Sequence, residues 1–515
     1  MKFPIGIQQF AEIRKDDWVY VDKTAHVYRL ATEGKYYFLS RPRRFGKSLL
    51  LSTIEAYFQG RKELFQGLAL ADLEKEWTQH PVLHLDLNAK PFSKLQDLYD
   101  LLNEQLTIYE RLYDSEPIDH SPEGRLRQLI RSAKQKTGTN VVVLIDEYDK
   151  PLLQAIGNET LQKEFRTALK AFYGTLKSAD GDLRFVMLTG VTKFSKVSVF
   201  SDLNNLEDIS MEARYHDVCG ITETELRHYF DNEIEVLATQ NNQTKEVAYE
   251  TLRHRYDGYH FSHNVPGIYN PFSLLHTLKN SNYGSYWFST GTPTYLVELL
   301  KDLHVNPKEL SGYEASATEL DSIQLHVENP IAVLYQSGYL TIKEYDASVR
   351  LYTLDFPNEE VEEGFVSFLL PYYTPISETD SPSFIGKFVR EVRQGKVDDF
   401  MRRLKALMAD TPYEIIKNLE NHYQNVMFIF TKLMGIYTQA EYRTSYGRID
   451  LLITTEKYVY VIELKLDSTA EEALQQINNK DYALPFTADG REIIKIGANI
   501  SSATRNLERW LVERE

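Results

Sequence analysis

A chain of 515 residues is too long for one ordinary hydrophobic core, so two to four domains are expected. Its 43% apolar and 26% charged residues are those of a globular protein and exclude a disordered or fibrous one. With 58 Lys+Arg against 74 Asp+Glu, the net charge of −16 argues against broad, non-specific nucleic-acid binding, which depends on basic surface.

The chain begins MKFPIGIQQF, without a sustained apolar stretch, so no signal peptide is expected. No apolar run approaches the length of a bilayer span, and the single cysteine, Cys219, excludes a disulfide framework and suits a reducing compartment. The expectation is a soluble, cytoplasmic protein with no membrane partner.

Residues 36–40 (YYFLS) are a short apolar run ending at RPRRFGKS, and residues 48–58 then repeat apolar side chains at helical spacing. This is strand, loop, helix. PVLHLDL (81–87) reads as a second strand, followed by helices near 94–112 and 125–136 around a polar, Pro-containing loop at 114–124. VVVLIDEYD (141–149) is a continuous aliphatic strand ending in carboxylates, as in a parallel sheet buried on both faces. A helix near 159–177 and the strand LRFVMLTGV (183–191) complete an alternation that predicts a doubly wound α/β domain over 1–220.

Residues 221–310 read as a smaller, mostly helical, lid-like module, with amphipathic segments at 223–240 and 244–256. Residues 311–400 are assigned to a connector. From 401 a helical stretch runs to about 435, followed by strand, hairpin and strand in YRTSYGRIDLLITTEKYVYVIELKL, a helix (469–482) and a last strand, EIIKIGANI. This segment, 401–515, forms the last expected domain. It carries 15 Lys+Arg against 16 Asp+Glu, so nearly all of the negative charge sits in residues 1–400 and a nucleic-acid site is better tolerated here.

Two constellations carry chemistry. Gly46, Lys47 and Ser48 match the end of the phosphate-loop pattern G-x-x-x-x-G-K-[ST], although Arg41 stands in place of its first glycine. Their position between strand and helix is the context the motif needs, because a helix N-terminus and successive N–H groups cradle an anion. Arg44 and Phe45 lead into this cradle and are counted with it. Lys47 would reach the β and γ phosphates of ATP, Ser48 would ligate Mg²⁺, Asp146 would hold the same ion, and Glu147 would polarise the attacking water. Thr192 or Lys193, past the next strand, is the candidate γ-phosphate sensor, and Thr192 is taken as the binding residue. Taken singly, GKS could be a capped helix start and DEYD a polar strand end. Binding also does not entail hydrolysis, since an altered loop can bind without turning over.

The second constellation lies in GRIDLLITTEKYVYVIELKL (447–466). Period-2 geometry puts Glu463 and Lys465 on one face of their strand, with Ile462, Leu464 and Leu466 on the other. Asp450 lies on the partner strand of the hairpin. Charges on an otherwise apolar strand are costly unless paired or metal-bound. Two carboxylates, Asp450 and Glu463, sharing a divalent ion, with Lys465 to orient water, would perform phosphodiester hydrolysis. Gln476 on the following helix could face the same site. The plainer alternative is an edge strand with a solvated Glu–Lys pair. His254, His260 and His263 lack a fourth ligand and are read as loop and packing residues, and the aromatics near 256–295 as core.

The stretches VYVDKT (19–24), RPRRFGKSLL (41–50), VVVLIDEYDKPL (141–152), YDGYHFS (256–262), YNPFSLL (269–275), YWFSTGTPTYL (286–296), GRIDLLI and VIELKL resemble a prokaryotic family that joins an AAA-ATPase-like domain to a C-terminal PD-(D/E)XK nuclease domain. The resemblance implies that the RPRRFGKS form is the usual loop there. It also implies nucleotide contact at Gly46, Lys47 and Ser48, and Mg²⁺ or water handling at Asp146 and Glu147. It further implies a nuclease set of Asp450, Glu463 and Lys465, with Gln476 and the helical acid Glu420 in support. The implied cofactors are ATP and Mg²⁺, with Mn²⁺ an alternative at the nuclease site. The implied partner is nucleic acid, DNA being the expectation, and a homo-oligomer is compatible with the pattern. The leading function is a metal-dependent nuclease controlled by nucleotide state; the alternative is a non-catalytic ATP-driven switch or scaffold whose nuclease-like domain only binds.

Overall fold

Five strands build the first sheet in the computed structural model: β1 (Tyr36–Ser40), β2 (Val82–Asp86), β3 (Val141–Asp146), β4 (Leu183–Gly190) and β5 (Glu207–Asp208). They pair in parallel in the order β2-β3-β4-β1-β5. All six residues of β3 are buried, as its unbroken aliphatic run demands of a strand covered on both faces. Helices Lys47–Phe58, Leu95–Tyr113, Pro122–Thr137 and Glu159–Ser178 cover the sheet. Two of them start where a side chain supplies the missing acceptor for the first turn: Ser121 accepts from the Gly124 amide and Asn158 from that of Leu161. The P-loop-type doubly wound domain expected from the alternation is thus present.

The structure describes residues 1–193, 203, 205–291, 296, 310–321, 329–374, 376, 381–410, 426, 429–430, 432–433, 437–444, 447–488 and 490–515. The chain divides into two units, one of Met1–Val305 with Leu310–Val361 and one of Asn306–Glu309 with Glu362–Glu515. In the first, helices Glu223–Gln240, Lys245–Tyr256 and Pro271–Asn280 pack around Leu226, Phe230, Ile234, Leu252, Tyr256 and Leu274. Thr222 closes a capping box with Glu225 at the start of this group. Within 311–400, for which the sequence suggested only a connector, lie β6 (Tyr313–Ser316), β7 (Thr341–Asp346) and β8 (Leu351–Asp355), an antiparallel sheet ordered β6-β8-β7.

The second unit carries a five-stranded mixed sheet, ordered β13-β12-β11-β10-β9, from β9 (Tyr437–Thr444), β10 (Gly447–Thr454), β11 (Tyr458–Leu466), β12 (Glu492–Ser501) and β13 (Asn506–Arg514). β9, β10 and β11 pair antiparallel, and the helix Ala470–Asn479 carries the chain over to β12, parallel to β11. The chain does not stop at the expected last strand, EIIKIGANI. β13 follows, antiparallel to β12. Its sequence, NLERWLVER, mixes charges and apolar residues without strict alternation, the weak pattern of a sheet-edge strand. Helix Val397–Asp410 matches the start of the stretch expected at 401–435, while Glu420 lies outside the described residues. Among the described residues no helix is long and apolar enough to cross a membrane.

Candidate functional sites

β1 delivers Ser40 into the loop 41–46, and the helix Lys47–Phe58 starts at Gly46, whose φ of 99° lies in the left-handed region that glycine adopts without a Cβ penalty. Lys47 is buried at this helix start. Its ammonium donates to the carbonyls of Arg41 (3.0 Å) and Pro42 (3.3 Å) and stands 3.5 Å from Glu147 Oε1. Asp146 ends β3 one strand further along the sheet from β4, accepting from Thr189 Oγ1 at 2.6 Å and from the Glu147 amide at 3.0 Å. Glu147 itself has φ 52°, a left-handed conformation that costs a non-glycine residue on the order of 1 kcal/mol or more.

A cavity of about 360 Å³ opens at this point, lined among others by Arg43, Arg44, Gly46, Lys47, Ser48 and Asp146–Glu147. Its size falls within the range of small-molecule sites, roughly 300–1,000 Å³. Its lining also includes Ile5, Ile7, Pro271, Phe272 and Leu275, so it offers both charged and apolar surface to a ligand. Asp86, the register partner of Asp146 on β2, also lines it, and burial followed by the nearby Asp146 charge raises its carboxyl above the usual range. Nothing in the sequence singled out Asp86, because its importance comes from pairing across the sheet.

Two expected binding residues lie elsewhere. Phe45 is buried, edge-on to Tyr259 (4.8 Å) and Phe261 (5.3 Å). Thr192 is buried as well, its amide and hydroxyl donating to Asp149 Oδ2 at 2.7 and 2.6 Å. Burial and the neighbouring Glu147 push Asp149 up to about 6, against the pull of these bonds. Lys193 pairs with Asp208 and Asp321. Arg41, where a glycine was expected, is buried. Its guanidinium donates to the carbonyls of Ser40 (2.9 Å), Ser210 (2.8 Å) and Tyr215 (3.0 Å) and lies 4.0 Å from the Phe261 ring centre. Desolvation lowers it to about 10, so it stays charged at neutral pH.

In the second unit the hairpin register sets Leu451 against Ile462, which places Asp450 across from Glu463. Asp450 Oδ2 accepts from the Leu464 amide at 2.8 Å. Glu463 is 2% exposed; Lys465 Nζ lies 3.1 Å from its Oε1, and Gln476 Nε2 donates to the same oxygen. Asp450, Glu463, Lys465 and Gln476 are therefore brought together. β11 is the middle strand of the five, which removes the edge-strand alternative. Burial, and next the Asp450 charge, push the Glu463 carboxyl up to about 7. Among the described residues its Oε2 is buried with no hydrogen-bond partner. An orphaned carboxylate oxygen on a residue paired across the hairpin with a second carboxylate fits a divalent cation, which would supply the missing partner. Among the described residues no group of three or more His, Cys, Asp or Glu gathers, so such an ion would complete its shell with water and phosphate oxygens, as Mg²⁺ does.

Gln476 reaches Glu463 because its helix lies very close to β12. A Cβ on Gly497 would stand 2.3 Å from the Leu474 amide nitrogen and 2.5 Å from the Ala470 carbonyl oxygen. Gly497, the register partner of Glu463, thus sets the helix height. It went unnoticed in the sequence because a lone strand glycine carries no chemistry of its own.

The family model described as predicted AAA-ATPase matches residues 4–200, and that of the PD-(D/E)XK nuclease superfamily matches residues 418–510. A protein of Azotobacter chroococcum mcd 1, described as an uncharacterized protein in the vnfD 5' region, is 36% identical over 99% of both chains. The chain belongs to this AAA-ATPase-like/PD-(D/E)XK nuclease family. Lys47, Asp146 and Glu147 fall inside the ATPase match, and Asp450, Glu463, Lys465 and Gln476 inside the nuclease match. Both constellations therefore sit in the part of the chain whose family suggests the corresponding chemistry.

Proposed function

We propose that the protein binds and hydrolyses ATP in the cavity at Lys47 and cleaves nucleic acid, DNA in the first instance, at Glu463, with nucleotide state controlling cleavage. The observation that carries this reading is the gathering, in one chain, of two separate sets of charged residues from distant segments. One set is Lys47 with Asp146 and Glu147, and the other is Asp450 with Glu463, Lys465 and Gln476.

In the first site, Lys47, with Arg43 and Arg44 beside it, holds the phosphates, and Ser48 and Asp146 are the residues that would hold Mg²⁺. Magnesium supplies charge neutralisation to the phosphates. Glu147 accepts the proton of the attacking water once it leaves the Lys47 ammonium. In the second site, Asp450 and Glu463 would hold Mg²⁺ or Mn²⁺, which would lower the pKa of a bound water and offset charge on the phosphate. Lys465 orients the attacking water and Gln476 keeps Glu463 in place. Supercoiled plasmid, single-stranded DNA and RNA incubated with Mg²⁺ or Mn²⁺, with and without ATP, test the proposal. Cleavage by the wild type and none by Lys465→Ala is expected; identical absence of cleavage in both refutes it.

A second reading, a non-catalytic ATP-driven switch, draws on the net charge of −16 and on Lys47 being already held by loop carbonyls and Glu147. It predicts ATP turnover that Lys47→Ala abolishes, with no cleavage of any nucleic acid.

A further inference from the structure

A phosphate loop normally owes its shape to glycines, yet residues 41–45 contain none. Arg44 nevertheless adopts φ 67°, the left-handed conformation that side chains disfavour. Such a conformation persists only where the surroundings over-determine it. Here the surroundings come from outside the loop. The Trp287 indole N–H donates to the carbonyl of Arg43 at 2.9 Å, which fixes the plane of the peptide that leads into Arg44. On the other side, Phe45 is locked between Tyr259 and Phe261, and the Arg44 guanidinium lies 5.2 Å from the Phe272 ring centre.

Trp287 is itself held from two directions. Its ring packs 5.3 Å from that of Tyr339. Its backbone N–H donates to Glu360 Oε1 (2.8 Å) and to Ser273 Oγ (3.1 Å), and Ser273 Oγ donates to the same Glu360 oxygen at 2.8 Å. Glu360 is fully buried in the first turn of helix Glu359–Tyr373, and among the described residues its Oε2 has no hydrogen-bond partner. Burial pushes its carboxyl up to about 7, so a neutral amide of the same shape can take its place.

We propose that Trp287, held by Glu360, is a positioning residue of the nucleotide site: its indole sets the Arg43–Arg44 peptide in the left-handed turn that aims the loop at phosphate, the task glycine performs in the usual loop. This rests on the reading of residues 41–48 as the nucleotide loop. It makes nucleotide binding depend on segments well beyond the 4–200 match, and by reciprocity makes Trp287 sense nucleotide.

The test uses the full chain with the variants Trp287→Phe, Glu360→Gln and Glu360→Ala. Two quantities are read: amide hydrogen exchange of peptides covering 41–48, and Mg·ATP affinity by calorimetry. Trp287→Phe keeps the packing on Tyr339 but removes the donor. It should speed exchange across 41–48 roughly tenfold and weaken ATP binding roughly fivefold or more, with exchange in β3 unchanged. Glu360→Ala should follow it, and Glu360→Gln should remain near wild type in both measurements. Wild-type exchange across 41–48 in Trp287→Phe, or loosening spread evenly over the unit, overturns the proposal. Exchange is read on the nucleotide-free protein, so a wild type that binds no ATP removes the nucleotide reading while the positioning of the loop is still decided.

Discussion

Replacing Glu463 by Gln should destroy cleavage and, at the same time, stabilise the metal-free protein at alkaline pH. A carboxyl moved from 4.5 to about 7 on folding is penalised when ionised. The folded state holds its proton more tightly, so the stability this group contributes is full below about 4.5 and is lost as pH rises through about 7. At pH 8 that loss is roughly 3 kcal/mol. Lys465 opposes it, but its side chain is 30% exposed, and a pair of that kind contributes only about 0.5–1 kcal/mol. Burial therefore outweighs the ion pair. The shift to about 7 is already net of Lys465, so Glu463→Gln, which keeps an oxygen for the Gln476 amide, should gain about 3 kcal/mol at pH 8 and almost nothing at pH 4.5. Denaturant unfolding of the second unit, followed with excess EDTA at both pH values, measures this. A variant that is destabilised at pH 8, or equally affected at both, refutes the claim that Glu463 is strained by desolvation. With limiting Mg²⁺, wild-type cleavage should climb between pH 6 and 8 as Glu463 ionises, and added Mg²⁺ should shift the rise to lower pH.

Arg41→Gly restores the usual first glycine of the loop, yet it should weaken the protein. It removes donors from three carbonyls and a ring contact, leaving buried acceptors at roughly 1–3 kcal/mol each, so thermal melting should fall and ATP affinity should not improve. Gly497→Ala forces a Cβ against backbone atoms that cannot move aside. Calorimetry should show a loss of about 1–3 kcal/mol, and cleavage should drop at least tenfold through displacement of Gln476, with ATP turnover unchanged. Glu147→Gln should bind ATP at wild-type affinity or better, since Lys47 loses a partner, while turnover falls on the order of a hundredfold in a phosphate-release assay.

Much of the fold was legible because its signals are local. The aliphatic run of β3, the strand–loop–helix around Gly46 and the alternation in β11 each state their element within a few residues. The hairpin logic that set Asp450 beside Glu463 needed only period-2 geometry and a short turn, and the register agrees with it. What stayed hidden is non-local. Arg41 looked like a defect because the carbonyls it serves, at Ser210 and Tyr215, lie about 170 residues away. Thr192 looked like a sensor because a polar residue past a strand end usually faces solvent or ligand; the buried Asp149 that accepts its hydroxyl could not be seen from spacing. Gly497 and Trp287 act only through close approach of segments that sequence does not pair. The antiparallel sheet of β6, β7 and β8 was hidden by short strands with mixed polarity, the pattern of a sheet open on one face.

Control of cleavage at Glu463 by nucleotide at Lys47 is the part of the proposed function that most needs a direct test. The direct measurement is the initial rate of plasmid cleavage at fixed Mg²⁺ as ATP is titrated, for the wild type and Lys47→Ala. The wild-type rate should change severalfold with ATP, and the variant rate should stay flat. Equal, ATP-independent rates in both proteins contradict such control.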